Sequence, residues 1–144
     1  FRRVLFRSLT EDFDARYLYP RLKASSKEIK PFLLDQRLVA GIGNIYASEI
    51  LFASGVLPQR SSHSLRKKEV QAIVENTRRI LLSAIEYNGT SVSDFRQVDE
   101  KTGEFQNFLQ VYDKESQPCP HCEVPLQRIV QQQRSTFFCI GCQK

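Results

Sequence analysis

The chain has no methionine, no apolar run of membrane-spanning length, no internal repeat and no low-complexity tract. A polypeptide that begins Phe1-Arg2-Arg3 without an initiator of its own is expected to have further sequence upstream. A spanning helix needs roughly 20 consecutive apolar residues, so a helical membrane protein is excluded and a soluble one expected. No secretory signal is recognisable, and nothing else points to an oxidising compartment for the cysteines. A dinucleotide-binding fingerprint fails as well, because Tyr46 stands where its third glycine would be and no strand precedes Gly41.

What is present points to a zinc-stapled protein with a polyanionic partner. Of the 144 residues 41% are apolar, ordinary for a folded chain of one domain or two small ones. The net charge of +5 favours nucleic acid over an acidic small molecule. Cys119, Cys122, Cys139 and Cys142 are spaced C-x2-C-x16-C-x2-C. Each C-x-x-C puts two sulfurs on one tight knuckle, and the segment between is long enough for a hairpin that closes a tetrahedral four-thiolate site. One structural zinc ion is expected there, holding a terminal piece too small for a core of its own. Thioredoxin-type redox chemistry is disfavoured by Pro118, Pro120 and Pro125 crowding the first knuckle, where that chemistry needs a helix. His121 lies inside the knuckle and is expected to face solvent.

From Leu9 to about Gln97 the pattern is helical. Thr10 or Asp12 caps a short helix carrying Phe13, Tyr17 and Leu18, which ends near Ser25-Ser26. Pro31 suits the first turn of a second helix through Leu34. Asn44 starts a third, with Ile45, Ser48, Glu49 and Phe52 at helical spacing and a stop at Gly55. Ser64 is expected to cap a long amphipathic helix whose buried stripe is Val70, Ile73, Val74, Ile80, Leu81 and Ile85, ending at Asn88-Gly89. A further short helix from Ser91 to Phe95 and a long loop over 98–107 follow. Phe108, Leu109, Val111 and Tyr112 read as a strand entering the ribbon. Leu126–Val130 and Thr136–Phe138 read as its hairpin, with the tip at Gln131–Ser135.

The segment DQRLVAGIGNIYASEILFASGVLP, residues 35–58, carries a second chemical signal. Two glycines before a helix let successive N–H groups point outward at the positive end of the helix dipole, and Asn44 adds a side-chain donor. This is either a phosphate seat or a plain helical turn in which glycine only permits close packing. The basic runs Arg66-Lys67-Lys68 and Arg78-Arg79 read as solvated helix faces.

IKPFLLDQRLVAGIGNIYASEILFASGVLP, followed by QRSTFFCIGCQK, resembles the C-terminal half of the formamidopyrimidine-DNA glycosylases, bacterial base-excision repair enzymes. The resemblance covers residues 9–144, and its GNIYASE form is closer to this branch than to the endonuclease VIII branch. It implies a mainly α fold, with a helix-two-turns-helix DNA-binding domain over 9–107 and a small β-hairpin zinc ribbon over 108–144. Residues 1–8 are given no function. They are either a basic strand end or an artefact, since Leu5-Phe6-Arg7-Ser8 back-translates into the tail of a common sequencing adaptor.

The resemblance further implies that Asn44 and Gly43 contact a phosphate beside the lesion, with Lys30 and Lys27 as further DNA contacts. Arg134 at the hairpin tip would enter the DNA beside the damaged nucleotide and donate a proton in the second elimination step. The partner would be damaged double-stranded DNA, met by a monomer in the bacterial cytoplasm at the nucleoid. The family's nucleophile, an N-terminal proline amine that forms a Schiff base, has no counterpart here, nor do its neighbouring glutamate and assisting lysine. Two readings therefore stand: the DNA-gripping half of a glycosylase and AP lyase for oxidised purines (8-oxoguanine, formamidopyrimidine), or an autonomous zinc-containing nucleic-acid-binding module.

Overall fold

A computed structural model describes residues 13–39, 41–88 and 109–144. Helix α1 (Ala15–Lys23) is capped by Asp14, whose extended backbone lets its carboxylate accept the Tyr17 N–H at 2.9 Å. The caps expected from sequence, Thr10 and Asp12, lie outside the described residues. Helix α2 (Ile29–Leu34) has Pro31 in its first turn and buries Ile29, Phe32 and Leu33.

Helix α3 (Asn44–Ser54) stops at Gly55 as expected, but it does not show one apolar face. Seven consecutive residues from Tyr46 to Phe52 are buried, because α3 runs through the centre of the molecule. It contacts α2 on one side, the long helix α4 (Lys67–Asn88) on another, and the hairpin on a third. In α4, Val70, Ile73, Val74, Ile80 and Leu81 form the buried stripe, joined by Thr77 and Ala84, with Ile85 packed at its edge. A helix all of whose faces meet protein loses the amphipathic signature that α4 keeps.

Ser64 does not cap α4. Its hydroxyl donates to the Ser61 carbonyl at 2.7 Å within a 3-10 turn over Ser62–Ser64. The Arg66 N–H goes instead to the Glu69 carboxylate at 2.9 Å, and Arg60 pairs with the same carboxylate. An acidic group in the first turn suits the helix dipole and offsets the basic run beside it. Gly89 and the expected helix from Ser91 to Phe95 lie outside the described residues.

Two further expectations change. No strand forms at Leu109, Val111 and Tyr112, and Phe108 lies outside the described residues. The N–H groups of Gln110, Val111 and Tyr112 all donate to the buried Glu49 carboxylate, at 2.8, 3.0 and 2.8 Å. A backbone wrapped around a carboxylate cannot also pair with a strand. The hairpin consists of β1 (Gln127–Gln131) antiparallel to β2 (Arg134–Phe138), in register from Gln127↔Phe138 to Gln131↔Arg134. Its turn is narrower than expected: only Gln132 and Gln133 lie outside the ladder, both left-handed at φ 49° and 67°. Arg134 is thus the first residue of β2.

Among the described residues, apolar burial falls into two clusters. The larger joins α1 to α4 and reaches Leu109; the smaller holds Val111, Cys119, Leu126, Phe137 and Cys139. Phe52 of α3 belongs to the smaller cluster, so the ribbon borrows a core residue from the helical part. Tyr112 packs against both clusters.

Candidate metal centre and nucleic-acid interface

The ligand sulfurs of Cys119, Cys122, Cys139 and Cys142 all lie within 4.8 Å of one another. A regular tetrahedron with Zn–S near 2.3 Å has sulfur–sulfur edges of about 3.8 Å. Cys119 and Cys142 are 3.7 Å apart, and Cys122 and Cys139 are 3.4 Å apart, so the quartet fits one zinc ion. None of the four forms a disulfide. Burial pushes the Cys119 thiol up, but N–H donors from His121 and Cys122 and the neighbouring thiols outweigh it and bring the group down to about 7. Burial and the surrounding thiols push Cys139 and Cys142 up. Four thiols crowded this closely are stabilised as thiolates when a cation takes the place of their protons. His121 is exposed and stacks on Phe52 at 5.2 Å, outside the quartet. Gly141 is required by space: a Cβ there would sit 2.9 Å from the Cys122 sulfur.

The second knuckle is tied to the helical part through Gln143, a buried residue the sequence did not single out. Its amide oxygen accepts the Cys139 N–H at 2.7 Å, and its nitrogen donates to the Val56 carbonyl at 2.8 Å. Lys144 and Gly55 add a backbone bond at 2.9 Å.

On another face, α2, the turn before α3 and the hairpin enclose a cleft of about 470 Å³. Lys27, Lys30, Gly43, Asn44 and Arg134, drawn from three separate stretches of the sequence, all line it. Gly43 ends the turn at φ −94°, which any residue adopts, and offers α3 no side-chain cap. Of the two glycines in this turn, Gly41, at φ 98°, uses a glycine's freedom; its N–H is taken by the Gln36 side chain at 3.0 Å. The positive end of the α3 dipole meets the cleft with no capping carboxylate in its first turn.

Lys30 is fully buried at the cleft wall. Its ammonium donates to Asn44 Oδ1, to the Ser135 carbonyl at 3.1 Å and to Thr136 Oγ1 at 2.7 Å. Asn44 Nδ2 also donates to the Ser135 carbonyl, at 3.1 Å. Burial, then the nearby Arg134 guanidinium, bring Lys30 down to about 8. Arg134 is exposed beside the turn. Lys27 pairs with Asp35 at 2.8 Å, and Arg37 shares that carboxylate. These two cations hold Asp35 far below the usual carboxylate range, Arg37 contributing most. One carboxylate among Lys27, Lys30, Arg37 and Arg134 leaves the cleft electropositive, as an anion-binding surface needs.

Glu49, Gln143 and Thr136 are the residues that sequence reasoning missed as polar anchors. Glu49 stood in view as a helix-face residue. Its acidic side chain among apolar neighbours in NIYASEILF was the one available signal of a buried hydrogen-bonding role.

A helical module with an electropositive cleft, joined to a four-cysteine hairpin, defines a helix-two-turns-helix protein with a zinc finger. Residues 6–96 match the family model described as the formamidopyrimidine-DNA glycosylase H2TH domain, and residues 116–144 match the zinc finger found in FPG and IleRS. The chain belongs to the formamidopyrimidine-DNA glycosylase family. The formamidopyrimidine-DNA glycosylase of Serratia proteamaculans is 46% identical over 136 residues, 94% of this chain and 51% of that protein. The Lactococcus lactis enzyme non-covalently bound to DNA containing an AP site superposes with a TM-score of 0.83 at 37% identity, covering 96% of this chain and 49% of that one. Its complex with DNA containing FAPY-dG gives 0.83 at 36% identity, covering 96% and 50%. The chain spans about half the length of the relatives it matches. Among the described residues no helix is long and apolar enough to cross a membrane.

Proposed function

We propose that this chain is the DNA-gripping half of a base-excision repair glycosylase and AP lyase that removes oxidised purines, 8-oxoguanine and formamidopyrimidine, and nicks the resulting abasic site. Residues 9–107 form its helix-two-turns-helix domain and 108–144 its zinc ribbon. It acts on damaged double-stranded DNA as a monomer in the bacterial cytoplasm, at the nucleoid. The observation that carries this reading is the convergence of Lys27, Lys30, Gly43, Asn44 and Arg134 on one cleft. In it, Asn44 and the α3 N-terminus face a backbone phosphate, and Arg134 lies beside the extruded nucleotide, where its planar fork grips phosphate oxygens and serves elimination. The relatives' names and the FAPY-dG complex support the oxidised-purine assignment. No proline amine, adjacent glutamate and assisting lysine can be assigned within these 144 residues, so the chain by itself binds DNA without excising bases.

The test is titration of the purified chain with duplex DNA. Binding is expected to weaken steeply with salt, because cationic contacts release counterions from the duplex. Asn44→Ala is expected to weaken binding by about tenfold for all sequences alike, since a phosphate contact carries no base information. An unchanged titration would remove Asn44 from the interface.

Lys30 adds a pH dependence. Its charge is lost from the folded protein as pH rises through about 8, whereas in the unfolded chain it persists to the ordinary value of 10.5. Duplex affinity is therefore expected to fall between about pH 7.5 and 9, and Lys30→Met to flatten that profile. Stability runs the other way. The folded state carries the cost of a buried ammonium in full below about 8, and between 8 and 10.5 the unfolded state binds more protons, so stability rises with pH across that window. Chemical denaturation at several pH values reads the second trend.

A further inference from the structure

Lys30 lies behind the cleft surface, and its bonding differs from that of a cation waiting for a phosphate. An ammonium has three hydrogens. Asn44 Oδ1, the Ser135 carbonyl and Thr136 Oγ1 accept all three, with Thr136 fully buried. Two of these acceptors belong to β2, at the first and second residues after Arg134. The chain separation between Lys30 and Thr136 is 106 residues, so the bonds join the helical module directly to the strand that begins with Arg134. On the opposite strand, Gln131, the ladder partner of Arg134, donates to the Pro58 carbonyl at 3.1 Å and to Glu28 at 3.2 Å. The base of the turn is held from both strands.

We propose that Lys30 and Thr136 are positioning residues that lock β2 against α2 and α3 and so fix Arg134 at the cleft. The inference rests on the proposed role of Arg134 in gripping DNA. It adds that Arg134 is aimed by a buried bond between the two parts of the protein, not by the hairpin alone. An exposed arginine on a free two-strand ribbon would sample many directions, and ordering it at the moment of binding would cost affinity. The clamp removes that cost beforehand.

Thr136→Val tests this because the side chain is isosteric, buried and lies outside the cleft lining, yet loses the acceptor. In the free, zinc-loaded chain, relaxation of the Arg134 Nε–H is expected to show a more mobile side chain in Thr136→Val and in Lys30→Met, while Thr136→Ser stays like the parent. Duplex titration is expected to show about a tenfold loss for Thr136→Val, and no further loss when it is added to Arg134→Ala. Should Thr136→Val fail to fold, Lys30→Met carries the same comparison. Unchanged Arg134 mobility, a loss that adds fully to that of Arg134→Ala, or loss of order in Thr136→Ser would each overturn the clamp. If the parent chain does not bind duplex at all, the proposed function falls, and the relaxation measurement on the free protein still decides the clamp.

Discussion

Chelation of the metal is expected to unfold the C-terminal ribbon and to abolish duplex binding with it. Elemental analysis should give one zinc per chain. The ribbon's buried apolar cluster is small: besides two of the cysteines it holds Val111, Leu126 and Phe137, with Phe52 supplied by α3. Such a cluster cannot offset the conformational entropy of ordering about 30 residues at roughly 1–2 kcal/mol each for the backbone alone. Structural zinc in comparable sites contributes about 10–16 kcal/mol at neutral pH, and that is folding free energy. DNA affinity is lost too, because Arg134 is carried by β2 and the second knuckle is bonded through Gln143 to the turn after α3. Gly141→Ala should mimic partial metal loss, since its Cβ would press on the Cys122 sulfur. A metal-free chain whose ribbon amides stay protected from hydrogen exchange, or two disulfides found by mass spectrometry, would defeat this account.

Glu49→Ala is expected to be the most destabilising single substitution in the helical part. The carboxylate accepts three N–H groups from Gln110, Val111 and Tyr112, and only 3% of the residue is exposed. Burial pushes its carboxyl up, while the three N–H donors and Lys114 favour the anion. Alanine would leave three backbone donors without an acceptor, that of Val111 buried and those of Gln110 and Tyr112 partly buried. At about 1–3 kcal/mol for the buried group and less for the two partly buried ones, the loss is about 2–5 kcal/mol, against a total stability of about 5–15 kcal/mol for a typical domain. Glu49→Gln keeps one carbonyl acceptor and should fall between alanine and the parent. Urea denaturation of zinc-loaded protein reads the difference. A midpoint unchanged in Glu49→Ala would show that the segment at 110–112 is held by packing alone.

Much of the architecture was legible in the residues because its determinants are local. Asp14 apart, the helix limits follow from short signals: Pro31 in a first turn, Asn44 after the glycine turn, Gly55 at a C-terminus, and an apolar stripe of period 3.6 in α4. The C-x-x-C pairs announce the metal centre for the same reason, as each knuckle is made by four consecutive residues. The two failures have different causes. Ser64 looked like a cap, but Glu69 and Arg60 took over the start of α4. Leu109, Val111 and Tyr112 alternated like a strand, but a carboxylate about 60 positions earlier claimed their N–H groups. At Ser64 a nearby acidic side chain displaced the expected cap, whereas at 109–112 a partner distant in sequence overrode the local propensity.

The helical course from α1 to α4, the four-thiolate site and the basic balance that suits a polyanion are consequences of neighbouring residues or of composition, and the chain announces them without its fold. Only the tertiary structure decided that Lys27, Lys30, Gly43, Asn44 and Arg134 share one cleft and that Lys30 reaches β2. It also decided that Glu49 and Gln143 hold the two parts of the molecule together. A buried polar side chain acquires its partners only when separate elements close around it. Desolvation then makes those partners obligatory, and no pattern along the chain records which they are.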